Sequence, residues 1–191
     1  MMITDTYSIF WREMKRYKKS RGGFIIRLIQ PAVWIIVMGN IFSGTQPLIE
    51  SVGFDGSYIE FMTPGIIILT AIFTSIFGGV NTLWDRRYGF MNMALCSPIS
   101  RSSIALGKML AISLIAAIQA TLILGIALAI GVTIPNLLMI GPIMAIVILF
   151  SIGFSGISVM FAAAAKSQET FWGTVNFLGL PMFMISPALF P

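Results

Sequence analysis

Residues 84–108 read WDRRYGFMNMALCSPISRSSIALGK, from Trp84 to Lys108, and this stretch decides how the whole chain is read. It holds Arg86, Arg87, Arg101 and Lys108 against the single acid Asp85. On either side lies an apolar run long enough to cross a bilayer, 59–83 before it and 109–130 after it, since about 20 helical residues span the hydrocarbon core. A basic connection between two spans belongs on the cytoplasmic side, where Lys and Arg collect. Placing this loop inside fixes every other loop by alternation. The remaining basic residues, Arg12, Lys15, Arg16, Lys18, Lys19, Arg21, Arg27 and Lys166, then fall on the same side, and the N-terminus is cytoplasmic.

Composition agrees. The chain is 57% apolar and 10% charged, with a mean hydropathy of +0.93, whereas a soluble domain carries about a quarter charged residues. Too little charge is available to wet a folded surface, so the class is a membrane protein. The net charge of +5 does not point to nucleic acid, because the basic residues gather at the ends of apolar runs and suit anionic headgroups. Cys96 is the one cysteine of the sequence, which excludes an internal disulfide. The basic start is followed by a full-length apolar run with no small-residue cleavage site, so the first span is read as retained.

Working outward from the loop, residues 5–21 predict an amphipathic helix. Tyr7, Phe10, Trp11, Met14 and Tyr17 follow the spacing of one helical face, and Arg12, Lys15, Arg16 and Lys19 cover the other. Thr4 or Asp5 is a candidate cap. Such a helix suits the membrane surface, with Phe10, Trp11, Met14 and Tyr17 among the headgroups; the alternative is a solvated helix whose apolar face packs on protein. Gly22-Gly23 breaks it. Five spans are predicted, at 24–42, 59–83, 109–130, 137–165 and 171–190. In the first, Arg27 can snorkel to the inner headgroups and Pro31 removes a backbone donor. The fourth is long for one crossing and is expected to tilt or break near Gly153 and Gly156. The fold class is therefore an all-α polytopic membrane protein with an interfacial helix and about five transmembrane helices, in one domain over 1–191, in a plasma or inner membrane.

The inventory excludes most chemistry. The sequence has no His, which removes His-based metal sites and Ser-His hydrolysis. The acids stand in loops or at span ends, which leaves no paired intramembrane carboxylates and argues against a proton-coupled carrier. Gly107-Lys108 is not a phosphate-binding loop, because Ser102 stands where the first Gly is needed and Met109 where Ser or Thr is needed. No catalytic residue, metal site or bound cofactor is expected. Gln30, Asn40, Asn81, Gln119 and Asn176 are polar groups in or near spans. Such residues read first as hydrogen-bonded packing contacts, with Gln30, Asn40 and Gln119 the candidates for lining a substrate pathway.

Within 84–108, Asp85 to Cys96 predicts a short helix with Tyr88, Met91 and Leu95 on one face. Ser97-Pro98 ends it, and Ser100 or Ser102 caps the next helix. On the residues alone, a docking element and an ordinary basic connector stay equally open.

Four segments together resemble the membrane subunits of ATP-binding-cassette exporters of the ABC-2 permease family, in the branch of drug and polysaccharide exporters. They are Gln30-Pro31 with Trp34 and Gly39; Tyr58, Phe61 and Pro64-Gly65; the whole of 84–108; and Gln119 with its small-residue-rich span. The resemblance covers essentially the whole chain. It implies outward transport of a hydrophobic or amphiphilic substrate, of drug, lipid or glycan-lipid class, through two permease units, identical or distinct. Separate ATPase subunits would bind ATP and Mg. It also implies that the loop docks on the ATPase through Asp85, Arg86, Arg87, Tyr88, Gly89, Phe90, Leu95, Pro98 and Arg101, and that six membrane helices make a full-length member, so a further C-terminal span is expected. Arg87 departs from the pattern, which usually has an acid there. The competing reading is a membrane anchor or assembly subunit that transports nothing.

Overall fold

The structure, a computed structural model, describes residues 2–20, 22, 29, 31–33, 35–37, 57–132, 138, 140–165 and 167–185, the last with side chains to 177. Seven helices are bounded within it: α1 Met2–Lys19, α2 Tyr58–Gly78, α3 Val80–Arg87, α4 Phe90–Cys96, α5 Arg101–Ile130, α6 Ile140–Ala164 and α7 Gln168–Ile185. No strand occurs among the described residues. Three stretches are long and apolar enough to cross a membrane: Tyr58–Arg87, Arg101–Ile130 and Ile140–Ala164. They coincide with the predicted second, third and fourth spans. α7 occupies most of the predicted fifth. Of the predicted first span only 29, 31–33 and 35–37 are described; these are helical, and Ile35 is fully buried.

The three long helices pack on one another. α5 runs antiparallel to α2, meeting it at Ile112 against Gly78 and at Gln119 against Thr74. It is antiparallel to α6 as well, with Met109 beside Gly156 and Thr121 beside Met144. Their halves away from the 84–108 loop bury Met62, Ile66, Ile67, Ala116, Ala120, Ile123 and Val147 in one cluster. The opposite stripe of α5 is Leu106, Leu110, Leu114, Ile118 and Leu122, one residue every four, all exposed. A helix that is apolar on both its packed and its open faces needs lipid on the open one.

Local chemistry sets the helix ends. The Ser57 N–H donates to Glu60 Oε2 at 3.1 Å, which holds the start of α2. Pro64, in the second turn of α2, supplies no backbone N–H to the helical ladder. α2 and α3 meet at Gly79, where helical dihedrals persist, so the pair is almost continuous. Ser97 is extended before Pro98 and ends α4, and Ser100 Oγ accepts from the Ser103 N–H at 3.1 Å to open α5.

Three expectations are corrected. α1 begins at Met2, so Thr4 and Asp5 stand inside its first turn and do not cap it. Of the tilt or break expected of the fourth span, the break is absent: α6 is one 25-residue helix through Gly153 and Gly156. The stretch from Asp85 to Cys96 is two helices: Gly89 takes φ +76°, a left-handed conformation that Gly adopts without the Cβ penalty, and separates α3 from α4.

Gly79 is also the point of closest approach between α3 and α6. A Cβ there would stand 2.6 Å from the Ser158 carbonyl oxygen, and Ser158 Oγ donates to the Ile76 carbonyl across the same contact. Gly79→Ala is expected to lower the melting temperature in detergent, by overpacking against rigid backbone. Gly125→Ala, with open space around its Cβ, leaves it unchanged or higher in the same assay.

Candidate functional site

Where α1, the end of α3 and the start of α5 meet, five charged side chains converge. Asp85 and Glu13 are each 3% exposed and Lys108 only 2%. Lys108 Nζ donates to Asp85 Oδ2 and, at 3.1 Å, to Glu13 Oε1. Arg12 grips Asp85 with both terminal nitrogens, at 2.8 and 3.2 Å, and reaches Glu13 Oε1 at 2.8 Å. Arg16 adds 3.1 Å to Asp85 and 3.9 Å to Glu13. Three cations against two carboxylates leave one positive charge over, and Arg12 and Arg16 stand at the rim, about a third exposed.

The backbone brings these groups together through small residues. Gly107 lets α1 lie directly on α5; a Cβ there would meet the Thr6 carbonyl oxygen at 2.8 Å and Ile9 Cβ at 2.7 Å. Ile9 then packs with Ala94 and Ile104, joined by Phe90, Met91 and Ile99. Glu13 sits one turn beyond Ile9 on that buried face. The Arg12 guanidinium lies over the Phe90 ring at 3.3 Å, a stacked contact that planar Arg makes well. Burial opposes its charge most strongly. The bond to Asp85 and the pull of Asp85 and Glu13 outweigh that, and its pKa is raised above the ordinary value.

Each predicted residue of the loop now has a place. Asp85 and Phe90 face inward, to the charged junction and to α1. Arg86 turns to α6, donating to the carbonyls of Ala162, Ala163 and Ala165 at 3.3, 2.5 and 3.2 Å. A cation on the unsatisfied last carbonyls of a helix is favourable on both hydrogen-bonding and dipole grounds. Arg87, Tyr88, Leu95, Pro98 and Arg101 stay on the surface, with Met93 beside them. Tyr88 stacks on Trp84, and Gly89 is the break between the two helices. On α1, Tyr7 and Trp11 are exposed and stacked, while Phe10, Met14 and Tyr17 are partly covered. Arg12 and Arg16, expected on a solvated basic face, are drawn instead into the junction.

Gln30 and Asn40 lie outside the described residues. Gln119 is fully buried and accepts from Thr74 Oγ1, which makes it a contact between α2 and α5. Asn81 joins Glu13, Tyr17, Thr82 and Lys108 around a small cleft beside the junction. The junction itself was missed by reading the sequence. Its signals were one Glu among the five bases of α1 and a Lys seven residues into α5.

Three membrane-length helices packed as a bundle, with a surface helix locked to their basic end, define a polytopic helical membrane protein. The ABC-2 type transporter family model matches residues 4–191, and the chain belongs to that family. It is similar to the proteins named transport permease ycf38 of Cyanophora paradoxa and of Pyropia yezoensis. Each is 27% identical, over 99% and 100% of this chain respectively. The chain spans 65% of the length of each of these relatives. No solved structure matches it significantly.

Removing one member of a buried charge cluster strands its partners, at a cost of about 3–5 kcal/mol. Asp85→Leu leaves Lys108, Arg12 and Arg16 with Glu13 alone and is therefore expected to destabilise the protein strongly to denaturant in detergent. Asp85→Leu combined with Lys108→Met should recover part of that loss, since it also removes the buried ammonium left short of a carboxylate.

Proposed function

We propose that the chain is the membrane-spanning part of an exporter permease whose energy comes from a separate ATPase subunit. The observation that carries this reading is a set of exposed apolar side chains at the polar end of the bundle. Tyr88 is 74% exposed, Met93 66% and Leu95 46%, and Arg87, Pro98 and Arg101 are exposed on the same segment. They lie on a cytoplasmic loop by the distribution of charge, so lipid does not cover them. Exposed apolar groups beside charged ones call for a protein partner.

The docking set is then Arg87, Tyr88, Met93, Leu95, Pro98 and Arg101, with Gly89 as the turn that presents it. Asp85, Arg86 and Phe90 act from behind by holding the loop to the spans. Because Arg87 stands where the family usually places an acid, the partner's groove should carry carboxylates. Two such permease units, five predicted crossings in each over this length, form a pathway in the plasma or inner membrane. ATP and Mg bind on the partner. A mostly apolar bundle suits a hydrophobic or amphiphilic cargo, a drug, a lipid or a lipid-linked glycan, handed outward by a difference in affinity between two access states.

Met93→Asp with Leu95→Asp should release the ATPase from the detergent-purified complex while insertion and melting temperature stay the same. Gly89→Pro, which forbids a φ of +76°, should keep the ATPase bound but separate its hydrolysis from transport. Unchanged co-purification in the first variant refutes this docking surface. Release of the ATPase without loss of transport by the permease contradicts the function itself.

A further inference from the structure

The loop faces the cytoplasm, but a push on it does nothing unless it reaches the spans. Through the backbone α3 continues α2 almost without a break, and Leu83 packs on Ala162, Ala165 and Phe171. Arg86 holds the last carbonyls of α6. The links to α1 and α5 include the apolar cluster of Ile9, Ala94 and Ile104 and the charged contacts of Asp85, one residue before Arg86 and four before the Gly89 turn.

Resting on the proposed docking function, we propose that Asp85 is the positioning residue of the transport stroke. Its carboxylate binds Lys108 of α5 with one oxygen. That oxygen also accepts from Arg12 of α1, and the other accepts from Arg12 and Arg16. The end of α3, the surface helix α1 and the inner end of the span α5 are thereby held as one unit. Gly89 marks the boundary of that unit, beyond which α4 turns. Glu13 completes the arrangement from α1 by sharing Lys108, so α1 and α5 stay joined even when one Arg swings away. Charge–charge contacts at 2% exposure are short-ranged in geometry and strong. Displacement of the loop is consequently delivered to α1 and α5 together, and the surface helix moves with the span instead of floating on the headgroups.

Spin labels at Lys18→Cys on α1 and Ser102→Cys on α5, with any other cysteine replaced by Ser, read this directly in lipid nanodiscs. Without the ATPase, the wild-type background should give one narrow distance. Asp85→Asn combined with Glu13→Gln should lose that single peak. Asp85→Asn alone, which leaves Glu13 on Lys108, should broaden it, and Asp85→Glu should keep it narrow. If the Asp85→Asn variants do not fold, Arg16→Gln, at the rim of the cluster, takes their place with a partial broadening. A peak left narrow by these neutralising variants overturns the clamp. In the complex with the ATPase, trapped with ATP and vanadate, the wild-type distance should hold while that of the double variant shifts. A wild-type shift as large as the variant's shows that α1 and α5 move separately, and also overturns the proposal. Failure of the ATPase to bind counts against the proposed function alone, because the first arm decides the clamp without it.

Discussion

Two carboxylates buried at the inner end of a membrane bundle cannot stay charged without cations at contact distance. Asp85 and Glu13 meet that requirement only if α1 lies against α5 and if α3 ends where it does. Lys108 is in the same position: a buried ammonium with no carboxylate would be costlier than the rest of the contact is worth. The pairing therefore dictates geometry. It selects a glycine at 107, so that α1 can approach, and it sets which face of α1 is turned to protein. It leaves Tyr7 and Trp11 on the outer side, where aromatic rings suit headgroups.

From that junction the rest follows in layers. Away from the junction, α2, α5 and α6 bury an aliphatic core, and α5 leaves a stripe of Leu and Ile exposed for lipid. Between these helices Gln119 and Thr74 pair, and Ser158 bonds to the α2 backbone, as expected of polar groups that must find partners away from water. At the polar end, Arg86 secures α6 to α3, and α4, beyond the Gly89 turn, lays Ala94 on Ile9 and Ile104 while Met93 and Leu95 stay exposed.

Much of this was legible in the sequence. Apolar length located the three spans. Pro98 and Ser100 marked the end of one helix and the start of the next. The charged junction was not legible, because its partners are separated by 73 and 95 residues and no local period connects them. Helical periodicity placed Arg12 and Arg16 on a solvated face, since it sees only one helix and not the acid another helix brings. The break at Gly89 was missed for a related reason. The apolar spacing of Tyr88, Met91 and Leu95 fits one helix well, and only the backbone reveals that a left-handed glycine interrupts it.

The central claim is that the inner end of this bundle is the input surface for an ATP-driven partner. A photo-crosslinking amino acid at Met93, activated in native membranes of cells making the full-length protein, tests it most directly, with the captured chain identified by mass spectrometry. The account predicts a nucleotide-binding ATPase subunit, captured from the cytoplasmic side and lost when Leu95 is replaced by Asp. Capture of an externally located protein, or labelling of lipid alone, would contradict both the orientation and the docking surface.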